Sequence, residues 1–213
     1  MTAKDQKIII HTLKKYKSLG IKYIEPFHLK KIDDYSCDLP NQLVELSSYI
    51  EHCSLCDMSK YCNEKFIGMG DINSDIFIIG TNNDFSNDTY FTILKNIIEK
   101  VILLEINEVY ITNILKCKTN QRYGIENSID LCKSYIFKQI ELAKPKFIIT
   151  LGDSFNHMTK DQSDILDISG NLIEHNNMRL IPIMDIEFVH KNPSYKNRMY
   201  KDLKKIKNIL ENE

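Results

Sequence analysis

Four short apolar runs, separated by stretches in which apolar residues recur every three or four positions, organise residues 75–210. DIFIIG (75–80), EVYITNIL (108–115), PKFIITLG (145–152) and RLIPIMD (179–185) are apolar without alternation, the pattern of strands buried on both faces. Between them the spacing predicts helices at TILKNIIEKVILL (92–104), at NSIDLCKSYIFKQIELA (127–143) and in a short segment after Gly152. An amphipathic helix, SYKNRMYKDLKKIKNIL (194–210), closes the chain. Strands alternating with helices predict an α/β fold, a three-layer sandwich whose mainly parallel central sheet of about four strands is flanked by helices. Such sheets bind ligands at the carboxyl ends of their strands, which directs attention to the residues just after Gly80, to Asn113, to the turn after Gly152 and to Asp185.

Upstream the texture differs. Residues 4–19 have helical spacing and stop at Gly20, a suitable C-cap, and a second short helix follows Pro40 through NQLVELSSYIEHC. The segment between them, 21–38, is irregular and charged. Residues 1–50 are therefore expected to form an N-terminal helical extension, and residues 51–213 the α/β domain.

Composition narrows the class. The chain has 213 residues, 43% of them apolar, with 28 basic against 29 acidic side chains. That is enough to bury a sizeable core and argues against disorder. The first ten residues, MTAKDQKIII, hold no apolar run of signal length, and no run elsewhere matches a bilayer. A cytoplasmic monomer with no membrane partner is expected. The net charge of −1 conceals an imbalance: residues 188–210 carry seven lysines and arginines against one aspartate, +6, which leaves −7 for the rest. Such a stretch can hold phosphates, and Lys191, Lys196 and Lys201 are the candidate contacts, although a solvated Lys-rich helix has the same signature. Only three of the 28 basic residues are arginines, which suits phosphate contact better than bidentate base reading.

In a reducing compartment six cysteines read as metal ligands before they read as disulfides. Cys53 and Cys56 form C-x2-C just before the α/β domain, and Cys117 and Cys132 form C-x14-C after the second predicted strand. Two distant pairs meeting at one place is how a four-thiolate centre is built. The wide second pair is unlike a zinc-ribbon knuckle, so a [4Fe-4S] cluster is the first expectation, with zinc or free structural thiols left open. Cys37 and Cys62 remain over, and Cys62 competes with Cys56 as a ligand.

These motifs, taken together, resemble the family 4 uracil-DNA glycosylases, the iron-sulfur branch of their superfamily. The resemblance runs from about residue 43 to 210. It rests on C-x2-C, FIGMGDINSDIFIIG, VYITNILKC, C-x14-C, KPKFIITLGD and the terminal KNPSYKNRMYKDLKKI, and above all on the four cysteines together with an Asn four residues before Cys117. It implies a parallel sheet, a [4Fe-4S] cluster near a DNA-binding face, and hydrolysis of the bond between uracil and deoxyribose in single- or double-stranded DNA.

The resemblance also implies roles for individual residues. Asn113 matches the Asn that reads the flipped uracil, since a carboxamide can donate to O4 and accept from N3–H. Gly80-Thr81-Asn82-Asn83-Asp84 stands where the family has G-E-A-P-G. Gly80 and Thr81 would approach the base, and Asn82 would align the attacking water, with Asp84 a weaker candidate. Phe91 is expected to stack on the base, with Tyr90 or Phe85 as alternatives, and Phe188 or Val189 to fill the emptied stack. At the last motif, H-P-S in the family, an ungapped alignment puts Asp185; a shifted register offers His190 or Asn192. A carboxylate about 4 Å from a departing uracil anion opposes it by several kcal/mol at an effective dielectric of about 20. Asp185 therefore acts at the leaving group only if protonated. Three readings follow: a glycosylase for uracil or another deaminated base, a catalytically degenerate nucleic-acid-binding module that keeps its cluster, or a glycosylase of altered base specificity.

Overall fold

The apolar runs become strands because both of their faces have apolar partners. The structure, a computed structural model, describes residues 39–62, 64–118 and 125–212. Residues 1–38, with Cys37 and most of the expected N-terminal extension, lie outside the described residues. Six strands occur among the described residues: β1 Met69–Gly70, β2 Ile76–Gly80, β3 Val109–Asn113, β4 Phe147–Leu151, β5 Ile173–His175 and β6 Met178–Ile183. They form one sheet in the order β1-β3-β2-β4-β6-β5.

The four central strands are the predicted ones and run parallel. Every residue of β2, β3 and β4 is buried. Successive side chains point to opposite faces: Ile76 and Ile78 enter one core cluster, Phe77 and Ile79 the other. Two antiparallel edge strands correct the expected count. β1 pairs with Tyr110 and Ile111 of β3. β5 and β6 make a hairpin across Asn176 and Asn177, both with positive φ (49° and 62°), the form of a type I′ turn.

Helices cover both faces. On one side lie α2 (Asp88–Ile97), α6 (Ile186–Lys191) and α7 (Lys196–Glu211), which contribute Leu94, Ile186, Val189 and Leu203 to the first cluster. On the other side α1 (Leu43–Glu51), α3 (Ile125–Ala143) and α4 (Ser154–Thr159) bury Leu46, Ile50, Ile136 and Phe155. The short α5 (Ile165–Ile168) precedes β5. Each fully buried side chain of this kind contributes roughly 1.5–3 kcal/mol. Asn87 caps α2 by accepting from the Tyr90 N–H at 3.0 Å, which starts the helix earlier than its apolar period suggests. No helix among the described residues is long and apolar enough to cross a membrane.

Candidate active site

The carboxyl ends of β2, β3, β4 and β6 bring together Gly80, Asn113, Gly152 and Asp185, the positions to which the parallel pattern directs attention. Gly152 has φ +58°, and a Cβ there would lie 3.0 Å from the Asp185 Cβ, so the ends of β4 and β6 approach closely. At Gly80 the crowding is different in kind. A Cβ there would lie 1.9 Å from Asn83 Oδ1 and 2.7 Å from Asn113 Oδ1, so the space above this glycine belongs to two carboxamides.

Asn113 is 3% exposed and ends β3. Its Nδ2 donates to the Asn83 carbonyl at 2.8 Å, and its Oδ1 accepts from the Asn83 N–H at 3.1 Å. The Asn83 side chain continues outward, with Nδ2 donating to Tyr90 Oη at 2.8 Å and to Asp185 Oδ2 at 2.7 Å. Burial first, then the charges of Asp185 and Glu187, pushes the Tyr90 phenol well up, so it stays neutral.

A cleft of about 680 Å³ opens beside these residues. Asn82, Asn83 and Asn113 line it together with Phe66, Phe85 and Cys117. Asn82 is half-buried, and among the described residues its carboxamide has no hydrogen-bond partner, leaving it able to hold a water. Asp84 lies at the rim, 3.8 Å from Lys118 Nζ. Phe91, expected beneath the base, packs on the core from the first turns of α2 and does not line the cleft. The aromatic rings that do are Phe66 and Phe85, with centroids 5.4 Å apart.

Asp185, expected at the leaving group, does not line the cleft either. It is the N-cap of α6: Oδ1 accepts from Glu187 N–H at 2.7 Å and Phe188 N–H at 3.2 Å, while Oδ2 takes the Asn83 donor. With both oxygens already engaged by a helix start and an amide, the side chain is placed to position its neighbours. His190, in the last turn of α6, and Asn192, just after it, are exposed, and Val189 is buried, leaving Phe188, 39% exposed, as the accessible apolar side chain there.

Thr81 is buried, and its Oγ1 donates to Asp153 Oδ1 at 2.5 Å. Asp153 also faces His157, with Nε2 and Oδ2 3.6 Å apart. The pair holds the Asp153 carboxyl below its ordinary value and lifts the His157 imidazole above its own. The stabilisation from His157 is fully present below pH 6.5, the unfolded value, and is lost as pH rises through the raised one. That from Asp153 is lost as pH falls below 3.8 through its lowered value. A His157→Gln variant should therefore melt below wild type by the equivalent of up to about 1 kcal/mol at about pH 5.5. The deficit should shrink towards zero at about pH 9. Equal deficits at the two pH values would mean that the contact is not ionic.

The cysteines lie on the α1 and α3 side. Cys117 and Cys132 are buried, and Cys53, Cys56 and Cys62 half-buried, around one apolar cluster. Cys132 interacts with Cys56 and Cys53, and Cys117 with Cys62 and Cys132. The Tyr135 hydroxyl donates to Cys53 Sγ at 3.1 Å. Among the described residues no three His, Cys, Asp or Glu side chains form a ready metal-holding group. The donor set, five thiols gathered round one apolar cluster, is of the kind that holds a thiolate-bound centre; burial pushes the Cys117 thiol well up and that of Cys132 to about 11, so a bound cation would have to draw off their protons. Beside them Lys116 is 1% exposed. Its ammonium donates to Thr112 Oγ1 at 2.8 Å and Gln139 Oε1 at 2.7 Å, tying the end of β3 to α3. Burial lowers it to about 7, against the opposing pull of Cys132.

Lys191, Lys196 and Lys201 are all exposed. Lys191 pairs with Glu187 at 2.5 Å; Lys196 and Lys201 have no ion pair among the described residues. Sequence reasoning passed over Asn83, Asp153 and His157. The signals were adjacent ones: Asp153 follows Gly152, just after the end of β4, and Asn83 stands next to Asn82.

Proteins named type-4 uracil-DNA glycosylase from Sulfurisphaera tokodaii and Saccharolobus solfataricus are 24% and 25% identical to this chain over 187 and 183 residues. These matches cover 79% and 78% of this chain and 85% of each relative. One from Archaeoglobus fulgidus is 24% identical over 174 residues, covering 74% of this chain and 87% of its own. The model of the uracil DNA glycosylase superfamily matches residues 67–212, from the segment before β1 to the end of α7. With its parallel strand ends and its asparagines inside that span, the chain belongs to the uracil DNA glycosylase superfamily.

Proposed function

We propose that this chain is a DNA glycosylase that hydrolyses the N-glycosidic bond of uracil in DNA once the base has left the stack. The observation that carries the reading is the Asn113 carboxamide, fixed at the end of β3 on the wall of an aromatic-lined cleft. Uracil offers it an acceptor at O4 and a donor at N3–H; cytosine reverses both. Phe85 or Phe66 supports the ring, in place of Phe91. Asn82 holds a water against C1′. The C1′–N1 bond breaks with its electron pair going to uracil, the water oxygen bonds to C1′, and its proton is released. Asn113 Nδ2 strengthens its bond to O4 as charge develops there, which is how a donor lowers a barrier. Thr81 is steadied through Asp153, and Asp185 positions Asn83 and α6 without touching the leaving group.

Lys196 and Lys201 on α7, with Lys191, would hold backbone phosphates, and Phe188 would fill the vacated place in the stack. Extrusion costs a few kcal/mol, least in mismatched or single-stranded DNA. Cys53, Cys56, Cys117 and Cys132 would hold a [4Fe-4S] cluster, which supplies structural cross-linking of α3 to the chain before β1. Anaerobically purified protein is expected to be brown with broad visible absorption, and Cys132→Ser to lose it. A colourless, zinc-loaded anaerobic preparation would overturn the cluster.

The function itself is tested by incubating the protein with uracil-containing single- and double-stranded oligonucleotides, followed by alkaline strand scission. Excision that depends on Asn113 supports the proposal. Binding of every strand without excision favours a nucleic-acid-binding module, a reading to which Asp185 in place of the family's His lends weight.

A further inference from the structure

A carboxamide has one edge on which its oxygen and an N–H can meet a partner together. In Asn113 that edge is filled by the chain itself, through the N–H of Asn83 at 3.1 Å and its C=O at 2.8 Å. An N–H beside a C=O is the pair that uracil offers through N3–H and O4. We propose that Asn83 is a positioning residue whose peptide holds the reading edge of Asn113 until a base carrying the same donor and acceptor displaces it. The inference rests on the glycosylase reading above.

Two features fix how firmly the edge is held. Asn83 Nδ2 is anchored to Tyr90 on α2 and to Asp185 at the start of α6, at 2.8 and 2.7 Å. Its Oδ1 occupies the room that Gly80 leaves free. The loop peptide is thus pinned between Asn113 on one side and two helices on the other. A base competes only if its own bonds replace both of those broken. Uracil does so; cytosine sets acceptor against acceptor and leaves the Asn83 pair in place. Competition with an internal partner lowers the apparent affinity for uracil according to the fraction of molecules in which the edge is held.

Two substitutions separate the contributions. Asn83→Pro removes the N–H that fills Asn113 Oδ1, along with the side chain. Asn83→Ala keeps the N–H and removes only the anchors. Titration with free uracil should show the proline variant binding about two- to tenfold tighter than wild type, the range of one net hydrogen bond, with the alanine variant between them. On a uracil oligonucleotide the gain should appear in KM and not in kcat. In the wild-type protein, amide exchange at Asn83 should be slow and should quicken on saturation with free uracil, a readout that needs neither catalysis nor a folded proline variant. Equal uracil affinity in wild type and both variants, or an Asn83 amide equally protected with and without bound uracil, overturns the inference. Failure of wild type to excise uracil from any strand counts against the glycosylase reading alone, because affinity and exchange are measured with the free base.

Discussion

Replacing Asn113 by Ala is expected to reduce uracil excision by about a hundred- to a thousandfold, the range seen when one aligned donor is removed from a polar catalytic site. Two losses combine. The base loses the group that both reads it and supports its developing charge, and the loop 80–84 loses its attachment to β3, since Asn113 holds the Asn83 peptide at both ends. The second loss alone leaves a half-buried N–H and C=O without partners, at about 1–3 kcal/mol of stability. Single-turnover rates and melting temperatures measured on the same preparations separate the two. A rate loss much larger than the stability loss identifies Asn113 as a reader of the base. Equal single-turnover rates in wild type and variant would remove it from that role and leave it as a clamp for the loop.

The fold was legible where burial is two-sided. DIFIIG, VYITN and FIITL could be read as strands because every residue in them has an apolar partner above or below the sheet. The edge strands were not. Met69–Gly70 is too short to carry a period, and Ile173–His175 is exposed along one side. The latter did have a signal in Asn176-Asn177, a pair that tolerates positive φ and closes a tight hairpin.

The site was legible in its types and less so in its partners. Cysteine spacing and the Asn at the end of VYITN are one-dimensional features; the fold sets Asn113 on the wall of the cleft and Cys53, Cys56, Cys117 and Cys132 around one apolar cluster. Phe91 was misplaced because α2 begins at Asp88, capped by Asn87, which turns Phe91 onto the core; the cleft takes its rings from Phe85 and from Phe66, on the segment before β1. Asp185 looked like a misfit at a leaving group because its three N–H partners come from the start of α6 and from a loop 102 residues upstream. No local pattern encodes that meeting. Once those donors are counted, the unfavourable carboxylate becomes a brace for Asn83, and the electrostatic objection to catalysis weakens.

Gly80→Ala should destabilise the protein by about 1–3 kcal/mol, as overpacking of a tight site does. The added methyl would sit 1.9 Å from Asn83 Oδ1 and 2.8 Å from its Cγ, with Asn113 Oδ1 at 2.7 Å. Atoms at the end of a flexible side chain usually move aside cheaply. Here they do not, because Asn83 Nδ2 is bonded to both Tyr90 and Asp185 and the Asn83 peptide is held by Asn113. Relief therefore breaks the network that shapes the cleft, and excision should fall with stability. A double-mutant cycle is the stricter test. In an Asn83→Ala background two of the three clashing atoms are gone, so the cost of Gly80→Ala should drop by most of its value, a coupling of about 1–2 kcal/mol between the positions. Denaturant midpoints of the four proteins measure it. Additive effects would mean that the methyl is absorbed by the backbone, and that Gly80 is required for something other than the room it gives Asn83.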